Sequence, residues 1–477
     1  MNSQLQKQKL FLEGSIVKAL FVLTLPIVLT NLLQSAYQLI DSFWVGRLGA
    51  ESVAAVSVSF PLIFLMTALG AGFSIAGSTL VAQYTGAKNQ KQVNHVSAQT
   101  LIMVVLTSLL LGSIGFIFAP SILHLMGVGA DVFPHALGFL RVSFVGLVFI
   151  FGFFMFQSLM NAVGKTKIPI IIVLCTVLLN LILDPLFIFG FGPIPAYGVM
   201  GAAFATLGTQ FLASFIGLVI LLRGKQGIHL RWNNFKPDFS FVKKAFRLGF
   251  PASIEQSARA LGFTMMSFLV TSFGTLTMAA YGVGGNVLMT VIIPALGISI
   301  AIGILVGQNI GAGNKERAIE IARLGSLIAF GILTLCGILS FVFAQSLAAF
   351  FVPDDIQVIT EAARFIRIMS LSFGFIGIQM AYNGVLRASG NMTAPMMMTL
   401  ISQWVIQFPL AYVLSKHTSL EFTGIWYAFP ISNVVMFVVA YIWFKNTPWQ
   451  EKKLTEDEEE VIEASEEILI TEGVKNK

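Results

Sequence analysis

The stretch YQLIDSFWVGRLG, Tyr37 to Gly49, sets Asp41 near the end of a long apolar run that also carries Thr30, Gln34, and Tyr37 or Gln38. Spacings of three and four residues put these polar groups on one face of a helix. A second acid, Asp184, follows Asn180 by four residues in another apolar run, with Pro185 just beyond. Each carboxylate lies near the same end of its run, so the two can meet at similar depth. Two like charges in a low-dielectric pocket oppose each other, and one shared proton relieves them. That is chemistry for carrying a proton. With Asn180 and a hydroxyl such as Thr206, the same oxygens also suit Na⁺, a hard cation. The competing reading is that Asp41 and Asp184 are solvated helix ends.

The second half of the chain holds a different group. Glu255 and Arg259 are four residues apart in a run opened by FPASIEQ, and they read as an ion pair lining that half. Glu255 is expected to tune substrate charge preference or closure without carrying the coupling ion, and Gln256 joins it as a cavity residue. Pro26, inside the first run, frees a carbonyl and supplies a hinge. Arg141 and Arg367 occupy matching positions, which points to a shared architectural role such as snorkelling.

These residues need a membrane to be placed in. Hydrophobic residues make up 56% of the 477 positions and charged ones only 11%. A soluble surface needs about 25% charged residues. Apolar runs long enough to cross roughly 30 Å of hydrocarbon recur near 15–41, 51–82, 95–119, 132–160, 168–190, 198–222, 240–272, 276–307, 318–347, 356–386, 393–415 and 422–444. The fold class is therefore an all-α polytopic membrane protein with twelve transmembrane helices. The first run is too long, and lacks the cleavage site, for a removed signal peptide, so it reads as the first span.

Lys88, Lys91, Lys165, Lys167, the group from Arg223 to Lys244, Lys315, Arg317 and Arg387 fall into every second connection, whereas the others hold only Arg47 and Lys416. The positive-inside rule then places both termini in the cytoplasm. The net charge of +6 belongs to those loops and leaves little for nucleic acid. Cys175 and Cys336 lie in apolar runs and read as packing residues.

The chain repeats itself. LPIVLT at Leu25 returns as FPASIE at Phe250, and VAQYTGAKN at Val81 as VGQNIGAGN at Val306, both 225 residues on. At an offset of 226, FLRVS at Phe139 returns as FIRIM at Phe365, and GKTKIP at Gly164 as GNMTAP at Gly390. Each unit has six spans, so the copies are parallel repeats with a substrate path expected between them. The expected organisation is an N-terminal six-helix lobe at 1–222 and a cytoplasmic linker with a short amphipathic helix at 223–239. A C-terminal six-helix lobe at 240–446 and a solvated acidic tail at 447–477 complete it.

Pro26, the DSFWVGRLG segment from Asp41, VAQYTGAKN after the second span and GFPASIEQ opening the seventh, set in two six-helix halves, resemble the multidrug and toxic compound extrusion (MATE) transporters. The resemblance covers roughly residues 10 to 446 and mixes features of the DinF-type and NorM-type branches. It implies a V-shaped pair of bundles and antiport of drugs against cations. The first-span Asp of the family maps onto Asp41, the fifth-span Asn and Asp of the DinF-type branch onto Asn180 and Asp184, and the Glu of the NorM-type branch onto Glu255. The tenth-span acid of the NorM-type pattern has no counterpart in RIMSLSFGFIGIQMAYNG.

The expected function is export of organic, mainly cationic and amphipathic compounds in exchange for H⁺ or Na⁺, by alternating access between the lobes. The coupling group is Asp41, Asp184 and Asn180, which are also the ligands for any Na⁺. The cavity residues are Gln34, Tyr37, Thr206, Glu255 and Gln256. No enzyme activity, no other cofactor and no nucleic-acid partner are expected. The setting is the inner membrane of a prokaryote, with lipids as neighbours and the chain a monomer. A flippase for a lipid or lipid-linked saccharide would share this layout but needs a more basic cavity.

Overall fold

The structure is a computed structural model and describes residues 9–451 and 453–455. Of the acidic tail expected at 447–477, the stretch from residue 456 lies outside the described residues.

The first six spans are α1 (Ile16–Gly46), α2 (Ala50–Gly86), α3 (Gln90–Leu125), α4 (Phe133–Ala162), α5 (Lys167–Phe189) and α6 (Val199–Arg223). The second six are α7 (Phe239–Thr271), α8 (Thr275–Gly311), α9 (Lys315–Val342), α10, α11 and α12 (Thr423–Asn446). Span α10 is bent by 52° between its arms Ile356–Ser370 and Phe373–Ala388. Span α11 runs from Thr393 to Lys416 and loosens into a π-helical turn at Ile401–Gln407. Ten of the twelve are single helices long and apolar enough to cross a membrane, and bent α10 makes an eleventh. Helix α7 is as long, at 33 residues, but its middle carries Ser253, Glu255, Gln256, Ser257 and Arg259 and is less apolar. At 37 residues each, α2 and α8 extend about 55 Å at 1.5 Å per residue, so their ends project past the hydrocarbon.

The two halves interlock. Helix α1 packs along α5 of its own half and along α8 of the other, and α7 packs along α11 and α2. The first turns of α1, through Ile16, Leu20, Leu23 and Ile27, sit in the core of the second half, whereas Tyr37 sits in that of the first. Helix α7 reverses this: Phe241, Ala245, Leu248 and Ala252 sit in the first half, Met266, Leu269 and Val270 in the second. Pro26 and Pro251 lie next to these crossovers. Lipid is as apolar as leucine, so close packing holds such cores together rather than escape from water.

The basic connections gather at one end of the bundle, and there the halves are fastened. Gln83 of α2 donates to the Ala388 carbonyl at 2.7 Å, and Gln308 of α8 donates to the Ala162 carbonyl at 2.8 Å. Gly86 lies against the Gln308 backbone and Gly311 against the Gln83 backbone. Glycine permits this approach because a Cβ at either position would strike a carbonyl. The chain after α12 closes over the same end, where the Leu454 N–H donates to Gln83 Oε1 at 2.8 Å and its carbonyl accepts from Lys244 at 2.5 Å.

Three expectations change. The linker forms only a 3₁₀ turn at Trp232–Phe235, because Pro237 blocks continuation and Gln99 donates to the carbonyls of Asn234 at 2.8 Å and Lys236 at 2.7 Å. Arg387 is no loop residue: it sits in the last turn of α10, and its side chain reaches an acid inside the bundle. Cys175 is exposed on the bundle surface rather than packed.

Candidate functional site

The polar stripe of α1 turns inward through Thr30, Gln34, Tyr37 and Asp41, with Gln38 outside it on the exposed face. Each group except Thr30 meets a side chain from α4 or α6. Asp41 Oδ2 accepts from Thr206 Oγ1 at 3.1 Å, and the Tyr37 hydroxyl pairs with Thr209 Oγ1 at 2.5 Å. Gln34 Nε2 donates to Gln157 Oε1 at 3.1 Å. The Thr30 hydroxyl bonds instead to the Pro26 carbonyl at 2.8 Å, a back-bond that bends helices.

Helix α5 supplies the second acid. Asn180 Nδ2 donates to Asp184 Oδ1 at 3.0 Å, and both residues are 0% exposed. Pro185 does not end α5, which continues to Phe189. The Asp41 and Asp184 carboxyls are near enough to act as hydrogen-bond partners, and Asn180 also faces Asp41. Asp41 Oδ1, Asn180 Oδ1 and Asp184 Oδ2 are buried without a protein partner. A buried acceptor left bare costs about 1–3 kcal/mol, so three together mark a place for a proton, a cation or water. The structure thus brings Asp41, Asn180, Asp184 and Thr206 into one pocket, with Tyr37 one turn away and Gln34 on the next turn.

In the second half, Glu255 is 1% exposed and accepts at one oxygen, Oε1, from Arg259 at 3.0 Å and from Arg387. The spacing of Glu255 and Arg259 already indicates the first bond. Arg387, 132 residues further on, carries no local signal. Gln256 is half-buried on α7 and takes no part in this cluster. Sequence reading also missed Thr209 and Gln157, the partners of Tyr37 and Gln34. Arg141 lies over the Phe116 ring at 5.1 Å, a packing role consistent with its architectural reading. No group of three or more His, Cys, Asp or Glu gathers as a metal site among the described residues.

Comparison with known proteins gives the same division into halves. A family model described as MatE matches residues 26–186 and 251–413, and so covers both repeats. The chain is similar to the probable multidrug resistance protein YoeA of Bacillus subtilis (strain 168), with 31% identity over 449 residues, 93% of this chain and 96% of that one. It is similar to the probable multidrug resistance protein NorM of Thermotoga maritima, with 27% identity over 91% of this chain and 93% of that one. Among solved structures, an outward-facing multidrug resistance MATE family transporter of the MOP superfamily superposes with a TM-score of 0.84 at 25% identity, covering 91% of this chain and 96% of that one. With two six-helix repeats, a matched family model over both and a relative aligned over nearly its whole length, the chain belongs to the MatE family of multidrug and toxic compound extrusion transporters.

Proposed function

We propose that this transporter exports amphipathic organic compounds, cations among them, in exchange for protons. The observation that carries this reading is the meeting of Asp41 and Asp184 in one buried pocket. Two carboxyls that face each other can share one proton, or yield it to an organic cation that neutralises them instead. Substrate and proton then compete for the same charge, which is what exchange requires. Thr206 and Asn180 hold the two carboxyls in place, and Tyr37 and Gln34 line the approach. The names of the relatives from Bacillus subtilis and Thermotoga maritima support efflux of drugs.

With the basic end inside, the bonds made by Gln83 and Gln308 close the cytoplasmic side. Alternating access then requires those bonds to break while the opposite end shuts. The chain works as a monomer, since one copy carries both lobes, in the cytoplasmic membrane of a prokaryote with both termini inside.

One observation favours Na⁺ as a second coupling ion. The bare oxygens on Asp41, Asn180 and Asp184 form a hard-donor set of the kind alkali cations accept. Accumulation of ethidium in inverted vesicles, with proton and Na⁺ gradients imposed separately, tests both. Uptake driven by the proton gradient alone supports proton exchange. Uptake that follows only the Na⁺ gradient would replace it, and no gradient-driven uptake of any organic probe would reject the efflux reading.

A further inference from the structure

The repeat relates the polar residues of the two lobes one by one. At an offset of 225, Thr30 corresponds to Glu255 and Gln34 to Arg259; at 226, Gln157 corresponds to Asn383 and Asn161 to Arg387. In the first lobe this layer is neutral, an amide pair with Asn161 beside it. In the second it is charged. The acids Asp41 and Asp184 correspond to Met266 and Leu410, so the second lobe has no counterpart of the acidic pocket.

Charge is therefore divided between the lobes. The first holds an acidic pair. The second holds two guanidiniums on a single carboxylate oxygen, which leaves one positive charge over. No further salt bridge to Arg259 or Arg387 exists among the described residues. An unbalanced charge away from water is costly unless a counter-ion joins it. Arg387 is mostly buried, with a side-chain exposure of 16%, and its Nε is buried without an acceptor, while Arg259 stays 32% exposed. One donor thus lacks an acceptor, and one guanidinium can be reached.

Nearby stretches of α10 and α11 also leave polar groups unpaired. Asn383, one turn before Arg387, has a bare Oδ1, and Gln403 and Trp404 in the π-helical turn of α11 have a bare Oε1 and Nε1. Gln403 lies against Gly262 of α7, one turn beyond Arg259. Such π turns recur at functional sites.

We propose that Arg259 and Arg387 form an anion subsite in the second lobe, which binds the carboxylate of an amphipathic substrate in competition with Glu255. The planar guanidinium suits a carboxylate, which it grips through two parallel hydrogen bonds. The inference rests on the efflux reading for its physiological meaning, and it assigns a place in the second lobe to the carboxylate of those substrates that carry one. A zwitterion would present its ammonium to the lobe of Asp41 and Asp184 and its carboxylate to this one.

The test is equilibrium binding to the purified full chain in lipid-free detergent, which needs no transport and so is independent of whether efflux is coupled. The probes are norfloxacin, a fluorescent zwitterion with one carboxylate, and its ethyl ester, which lacks that charge. Arg387→Gln and Arg259→Gln are each expected to weaken norfloxacin roughly tenfold to a hundredfold, the worth of a charged hydrogen bond, and to leave the ester within about twofold. Glu255→Gln removes the competing carboxylate and is expected to tighten norfloxacin severalfold. A merely structural cluster predicts the reverse, since Glu255→Gln would then loosen the lobe and weaken both probes. Equal losses for acid and ester in all three variants overturn the proposal. Displacement of norfloxacin by phosphatidylglycerol micelles, but not by excess benzoate, would assign the arginines to a lipid headgroup and overturn it as well.

Discussion

Gln83 and Gln308 are pseudo-symmetric mates that make the same bond in opposite directions: each donates its Nε2 to the last turn of a helix in the other lobe, at Ala388 and Ala162 respectively. Those two acceptors are themselves repeat partners. One latch has been made twice, and it closes the basic end. Each bond contributes about 1 kcal/mol net, so Gln83→Ala and Gln308→Ala should each shift the equilibrium between closed and open basic ends roughly fivefold toward open. Spin-label distances across that end, measured in the two single variants and the double, provide the check. Unchanged distance distributions in the double variant would show that the glutamines only fill space.

The acidic pair makes a sharper demand. Asp41→Asn and Asp184→Asn keep the shape of each side chain but remove the charge that proton and drug compete for. Each should abolish drug-driven proton release, while folding stays normal because a neutral amide is cheaper to bury than a carboxylate. Asp41→Glu should retain part of the activity. Proton release from Asp41→Asn at near the parent rate would make that residue a solvated helix end.

Twelve spans, the repeat and the polar stripe of α1 were legible because each is periodic: apolar length marks a span, and spacings of three and four mark a face. The sixth-span hydroxyl was less plain, because Ala202 and Ala203 occupy the turn where it is expected and Thr206 stands one turn beyond. What periodicity cannot carry is contact across the fold. Arg387 reads as one more basic residue near a loop, and only the packing of the second arm of α10 along α8, with the reach of the arginine side chain, brings it to Glu255. The exchange of α1 and α7 between the cores was hidden for a related reason. Hydropathy says that a segment is buried, never in which lobe. The π turn of α11 was invisible as well, because Ile401–Gln407 differs from an α-helix only in its hydrogen-bond register.

Outside the membrane, Asp238 caps α7 by accepting from the Phe241 N–H at 3.0 Å and meets His95 at 2.9 Å. The backbone bond from Phe241 does most to hold its carboxyl below the ordinary carboxylate range; burial opposes it, and the histidine adds a further lowering. A group depressed in the folded state stabilises above its unfolded pKa and loses that contribution as pH falls through its folded one. Asp238→Ala should therefore lower thermal stability at neutral pH, by about 1 kcal/mol for a lost helix cap. The difference from the parent should shrink toward acidic pH. Melting curves of the purified protein at several pH values measure this, and a difference that grows on acidification would contradict the assignment.

The first helix changes lobes just after Pro26, where two local features loosen it. Proline offers no N–H to the Val22 carbonyl, and the Thr30 hydroxyl bonds back onto the Pro26 carbonyl at 2.8 Å. The turns before Pro26 are anchored in the second core through Leu20 and Leu23, while Tyr37 and Asp41 beyond it belong to the first-lobe pocket. Any movement between the lobes must therefore pass through this turn. Pro26→Ala restores the missing N–H and stiffens the helix there, by about 1 kcal/mol for the regained bond. Binding of ethidium at equilibrium should change less than about twofold, because no pocket residue is touched. Gradient-driven uptake into inverted vesicles should fall severalfold. If Pro26→Ala transports at the parent rate with unaltered binding, the proline is a passive feature of the packing and the hinge lies elsewhere in α1.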